Sequence, residues 1–63
     1  MTFYIVVTHN FRGAEVYLTP AYTWSTEPHT ARAFDTRDAA SDAASRVGYF
    51  DRRPTVREVI TAD

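Results

Sequence analysis

Cysteine is absent from the 63-residue chain, and glycine occurs only twice. Without cysteine the protein can form no disulfide and no thiolate metal site, and a reducing compartment causes it no difficulty. The two glycines, Gly13 and Gly48, lie far apart. A phosphate-binding loop, which needs closely spaced glycines, is therefore excluded.

Long apolar runs are also missing near the start of the chain. Residues 3–7 form an apolar run of five, which is far too short to cross a bilayer. No basic residue precedes this run, as one would in a signal peptide. We therefore expect a cytoplasmic protein without a membrane segment.

The charge is nearly balanced. Seven basic residues, all of them Arg, face eight acidic residues, and the net charge is −1. This balance argues against general electrostatic binding of nucleic acid, which needs several phosphates to be neutralised. The length allows one domain, residues 1–63, and the four Tyr, four Phe and one Trp supply the large buried areas that a small core needs.

Two strands are predicted near the start of the chain. Residues 2–8 are β-branched and aromatic on both faces, which is typical of a central strand. Residues 14–20 alternate, with Val16 and Leu18 on one face and Glu15 and Tyr17 on the other. We expect a β-hairpin with a four-residue connection at residues 10–13.

A helix is predicted between residues 35 and 48. Asp35 or Thr36 can cap its start, and Asp35 and Asp38 have the spacing of a capping pair. Gly48 stands where a left-handed C-terminal cap belongs. The apolar face is small and mostly alanine, so it can approach a sheet closely; its members are Ala39, Ala40, Ala43, Ala44 and Val47.

The remaining segments complete the predicted fold. Residues 55–61 form a last strand, with Val56 and Ile60 on one face and Val59 on the other. Residues 25–28 resemble a turn or a single helical turn with Trp24 tucked under it, and residues 31–34 suit a short third strand. The prediction is an α+β domain: an antiparallel sheet of three to four strands with one helix on one face, in the order β-β-(β)-α-β.

Acidic residues mark one side of the predicted helix. Asp35, Asp38 and Asp42 lie within two helical turns, and Glu27 comes close to them if the preceding loop folds back. Acids at a helix start suit the helix dipole, and Asp42 can pair with Arg46. The same acids can also form a negative patch for a basic protein partner. Both interpretations are compatible with the sequence.

Other candidate sites are weaker. Arg52 and Arg53, beside the aromatic residues 49 and 50, form a minimal patch for nucleic acid, although a solvated loop explains them as well. His9 and His29 show no metal-ligand spacing, and no serine has a nucleophile motif around it. We therefore expect no enzyme activity, no metal and no cofactor.

A longer pattern gives the chain a family resemblance. Tyr17-Leu18, Trp24-Ser25 and residues 31–40, ARAFDTRDAA, resemble short phage and prophage proteins, and more specifically the small anti-CRISPR proteins, including inhibitors of type I-C systems. The resemblance implies a monomeric, stoichiometric inhibitor in the bacterial cytoplasm. It would bind a Cascade-type effector subunit, block access of target DNA and make no direct nucleic-acid contact. Good DNA mimics are strongly acidic, so a net charge of −1 leaves a local patch, Asp35, Asp38 and Asp42, for this role.

Overall fold

The predicted α+β architecture is confirmed by a computed structural model, which describes residues 1–48 and 52–62. Its elements are β1 (Thr2–His9), β2 (Glu15–Leu18), β3 (Trp24–Ser25), a short 3₁₀ helix (Pro28–Thr30), α1 (Arg37–Arg46) and β4 (Thr55–Ile60). The four strands form one antiparallel sheet in the order β3-β2-β1-β4. Helix α1 packs on β1 and β4.

The central position predicted for β1 is correct. It pairs with β2 on one side, where Val7 is opposite Tyr17, and with β4 on the other, where Val6 is opposite Val56. Both of its edges are consequently paired, and residues 5–8 are all buried. A strand that is apolar on both faces suits this position.

The main core lies between α1 and the sheet. Its buried members are Val6, Leu18, Phe34, Ala40 and Ala43. Trp24 packs against this cluster rather than under the turn that follows it, and its Nε1–H donates to the carbonyl of Gly48 at 3.0 Å. The alanine face is narrower than predicted, because Ala39 is exposed.

A second cluster occupies the opposite face of the sheet. Ile5, Val7 and Tyr17 are buried there, and Phe3, Ala31 and Val59 pack beside them. The predicted division of β4 is correct for Val56 and Val59, which pack on opposite faces, whereas Ile60 is 73% exposed. The sheet therefore has two apolar faces, of which α1 covers one.

The third strand differs from its prediction. Residues 31–34 form no strand, although Phe34 exchanges two backbone hydrogen bonds with Tyr4, at 2.8 and 2.9 Å. Trp24–Ser25 pairs with β2 instead. The reason is a tight turn in which the Tyr22 N–H donates to the Thr19 carbonyl at 2.9 Å, so the chain returns beside β2 at once. The helical turn lies at Pro28–Thr30, three residues after the start predicted for it.

One of the two predicted N-caps of α1 is confirmed, whereas the predicted capping pair and the C-terminal cap are wrong. Thr36 is the N-cap, and its hydroxyl accepts from the Ala39 N–H at 3.1 Å. Asp38 therefore occupies the second helical position, and the expected capping pair of Asp35 with Asp38 is not formed. The helix ends at Arg46, its C-cap Val47 has an extended backbone, and Gly48 is not left-handed.

The left-handed glycine is Gly13, in the connection between β1 and β2. This connection spans residues 10–14, one more than predicted. The Gly13 N–H donates to the Asn10 carbonyl at 2.9 Å, and the φ of Gly13 is 82°. The Asn10 Oδ1 accepts from the N–H groups of Arg12 and Ala14, each at 3.0 Å, which fixes the turn.

We expect Gly13→Ala to lower the free energy of unfolding by about 1 kcal/mol, because an L-residue is strained at positive φ. A new Cβ would meet nothing within 4 Å, so the loss reports backbone strain alone. Gly48→Ala is the matched control, since that site is equally open but has no positive φ. Urea unfolding of both variants checks this; equal stabilities would contradict it.

Candidate functional site

The acidic residues predicted as a partner-binding site fall on two separate elements. Asp38 and Asp42 lie on α1, one helical turn apart and therefore on the same side of the helix. Asp35 stands immediately before the N-cap Thr36. All three are exposed. We name Asp35, Asp38 and Asp42 the acidic helix face.

Glu27 does not join this face. It precedes the 3₁₀ helix, which contacts β2, whereas α1 contacts β1 and β4. Its carboxylate lies 3.2 Å from the Nε2 of His29, and both side chains are largely exposed. The Glu27 carboxylate therefore pairs with His29, two residues further along the same segment.

The carboxylates of the acidic helix face differ in what they contact. Asp42 pairs with Arg46 at 3.2 Å, one turn along the helix. Among the residues that the structure describes, Asp35 and Asp38 have no ion-pair partner. Arg37, the basic residue nearest in sequence, lies with its guanidinium carbon 5.1 Å from the centre of the Tyr4 ring. Two free carboxylates at the start of the helix are therefore the available negative charge.

The side chains around these acids are small. Ala39 and Ser41 are exposed on the same helix, and Ser45 turns its hydroxyl back to the carbonyl of Asp42 at 2.7 Å. The helix itself is held by the Thr36 cap and by the burial of Ala40 and Ala43. The exposed side chains between Asp38 and Asp42 are therefore small, whereas the larger Arg46 side chain lies beside Asp42.

A polar network on the opposite face of the sheet was missed by the sequence interpretation. Arg57 on β4 donates to both carboxylate oxygens of Glu15 on β2, at 2.9 and 2.6 Å. Tyr17 donates its phenol O–H to the same carboxylate at 2.6 Å. Because β1 lies between β2 and β4, the ion pair spans β1 on the face that carries Val7.

This network shifts the ionisation of its members. The hydrogen bonds from Arg57 and then from Tyr17 lower the pKa of Glu15 from 4.5 to about 2. The hydrogen bond to the Glu15 carboxylate raises the pKa of Tyr17, and the same pairing raises the pKa of Arg57. The three groups are mutually satisfied, which is typical of a structural network rather than of a site waiting for a ligand.

The alternative site around Arg52 and Arg53 is described only in part. The aromatic residues 49 and 50 lie outside the described residues. Thr8 donates its hydroxyl hydrogen to the carbonyl of Arg52 at 2.8 Å, which ties this segment to β1. Arg52 lines one cleft with the hairpin turn, and Arg53 lines another beside the end of α1.

His9 is the last residue of β1, and His29 lies in the 3₁₀ helix. Within residues 1–48 and 52–62, no group of three or more acidic or histidine side chains is placed to hold a metal ion. No helix in the described part of the chain is long and apolar enough to cross a membrane.

Comparison with known proteins adds no relative to this description. No protein-family model, no curated protein and no solved structure matches the chain.

Proposed function

We propose that this chain is a small binding protein of the anti-CRISPR type. It would act as a stoichiometric inhibitor that binds a subunit of a CRISPR effector complex, such as that of a type I-C system, and blocks access of target DNA. The observation that carries the proposal is the pair of exposed carboxylates, Asp35 and Asp38, which have no ion-pair partner among the described residues. The sequence resemblance supplies the class of partner.

The acidic helix face suits a basic protein surface for electrostatic reasons. Charges of opposite sign across an interface accelerate association and fix the orientation of the partners more than they add affinity. Asp35 and Asp38 supply this charge from a helix whose start is capped. The exposed Ala39 and Ser41 allow close packing beside them. We therefore expect the carboxylates to set the rate and register, and the contacts of the small side chains to supply buried area.

The test is charge reversal on the acidic helix face. Asp38→Arg with Asp42→Arg should weaken binding to the effector at least about a hundred-fold, because like charges facing each other across an interface cost several kcal/mol. The fold should stay intact, since both side chains are exposed and neither caps the helix. Affinity is measured by surface plasmon resonance, and folding by circular dichroism.

Two single variants sharpen the result. Glu58→Arg is the control for charge reversal at a site outside the acidic helix face, because Glu58 is exposed but lies on β4. Glu27→Arg tests the fourth predicted residue, which the structure separates from the helix. We expect both to bind within about three-fold of wild type, as for charges outside the contact. Unchanged affinity in the folded double variant would refute the proposed face.

A further inference from the structure

The arginines divide into two groups by what their side chains contact. Four have partners: Arg46 and Arg57 form ion pairs, Arg32 lies over the rings of Tyr22 and Phe34, and Arg37 lies over the ring of Tyr4. The guanidinium groups of the other three contact no carboxylate or ring among the described residues, and all three are exposed; they are Arg12, Arg52 and Arg53.

The three unengaged arginines lie at one end of the sheet. Arg12 is in the turn that follows β1. Arg52 and Arg53 precede β4, and β4 starts opposite the end of β1, since Thr55 is opposite Val7. The Thr8 hydroxyl donates to the carbonyl of Arg52 at 2.8 Å, and this bond ties the segment before β4 to the end of β1. Residues 40 positions apart in the chain thus form one basic end.

A cleft lies between the two segments. It has a volume of about 330 Å³ and is lined by His9, Asn10, Phe11, Gly13 and Arg52. The turn on one side of it is held by the two hydrogen bonds to the Asn10 side chain and by the left-handed Gly13. Phe11, which lies in this turn, is 78% exposed. The end therefore combines fixed positive charge, a cleft and an exposed aromatic ring.

The carboxylate of Glu15, on the strand that follows the turn, does not neutralise this end. Glu15 is opposite His9 in the hairpin, but both of its oxygens are already bound by Arg57 and one by Tyr17. Asp51 is adjacent in sequence to Arg52 and lies outside the described residues. Among the described residues, no carboxylate forms an ion pair with Arg12, Arg52 or Arg53.

We propose that this end binds the phosphate backbone of single-stranded nucleic acid. The guanidinium groups of Arg12, Arg52 and Arg53 contact phosphates, and the Phe11 ring provides a surface on which a base can stack. Positive grooves with exposed aromatic rings are the usual means of binding single strands without sequence preference. The inference does not depend on the acidic helix face and concerns the other end of the domain from Asp35.

Salt dependence of binding tests the proposal most directly. We would measure the fluorescence anisotropy of a labelled oligothymidylate with the whole chain, from about 50 to about 200 mM salt. Three phosphate contacts predict a slope of about −2 in a plot of log K against log salt, which is roughly a twenty-fold loss over that range. Arg12→Gln with Arg52→Gln should reduce the slope to about −0.7.

Two further variants separate a local site from the overall charge. Arg46→Gln changes the net charge by the same amount as Arg12→Gln or Arg52→Gln alone. Because Arg46 lies on α1, this variant should bind within about two-fold of wild type. Phe11→Ala should weaken binding about five-fold or more, because stacking is lost while the charge is kept. Absence of binding at low salt would overturn the proposal. An equal loss of affinity with Arg46→Gln and with Arg12→Gln or Arg52→Gln alone would also overturn it. Tighter binding of a duplex of equal length would overturn its assignment to single strands.

Discussion

Leu18→Ala should lower the free energy of unfolding by about 3 kcal/mol or more. Leu18 is fully buried between the sheet and α1, where it packs with Val6, Phe34 and the alanines of the helix. A short chain has little stability to lose, about 3–9 kcal/mol at this length. We therefore expect a large fraction of the variant to be unfolded at physiological temperature, which urea titration followed by circular dichroism measures.

The size of this effect follows from the character of the helix. Ala40 and Ala43 belong to the same buried cluster as Leu18. Their methyl groups are too short to move into a cavity that the loss of Leu18 would leave. A cavity that cannot collapse costs more than the lost transfer free energy alone. Ile60→Ala is the matched control, because Ile60 is also an aliphatic strand residue but is 73% exposed; its cost should be within about 0.5 kcal/mol. Similar losses in the two variants would contradict the proposed core.

Glu15→Gln should destabilise the protein at neutral pH by about 1–2 kcal/mol, after allowance for solvent screening of the half-exposed Arg57. The variant loses the charge-assisted pair that crosses the sheet from β4 to β2. The pKa of Glu15 is about 2 in the folded protein and 4.5 ordinarily. The contribution of the pair is therefore complete above about pH 4.5 and is lost as the pH falls through about 2.

The pH dependence distinguishes this network from ordinary surface pairs. The wild type should lose stability between about pH 4.5 and pH 2, and Glu15→Gln should lose less over that interval. At the alkaline end, the raised pKa of Tyr17 means that its contribution is present below about pH 10 and is lost as the phenol ionises. Glu27→Gln, which removes an exposed carboxylate paired with His29, serves as the control. Parallel acid profiles for the wild type and Glu15→Gln would refute the cross-sheet pair.

The elements with a clear period could be predicted from the sequence. The apolar run of β1, the alternation of Val16 and Leu18 in β2, and the alanine spacing of α1 each indicate one type of structure. β3 could not be predicted, because a strand of two residues has no period. The choice between Asp35 and Thr36 as helix cap depends on backbone angles that either residue type can adopt.

Only the part of the candidate site that lies within one continuous segment of the chain was predictable. Asp38 and Asp42 share a helix side by spacing alone. The separation of Glu27 from them depends on the 3₁₀ helix contacting β2, and the pairing of Arg57 with Glu15 depends on β1 lying between β2 and β4. The placement of Arg52 beside the hairpin turn likewise requires the antiparallel register of β1 with β4. Strand order is a tertiary property that no single-segment pattern contains.

We propose above that the acidic helix face docks this protein on a basic surface of a CRISPR effector complex. Isothermal titration of a purified type I-C effector with the protein, with and without bound target DNA, tests it most directly. We predict saturation at a fixed stoichiometry, weaker binding at higher salt, and loss of binding with Asp38→Arg and Asp42→Arg or when the DNA site is already filled. Absence of saturable heat at low salt with the folded wild-type protein would contradict the claim.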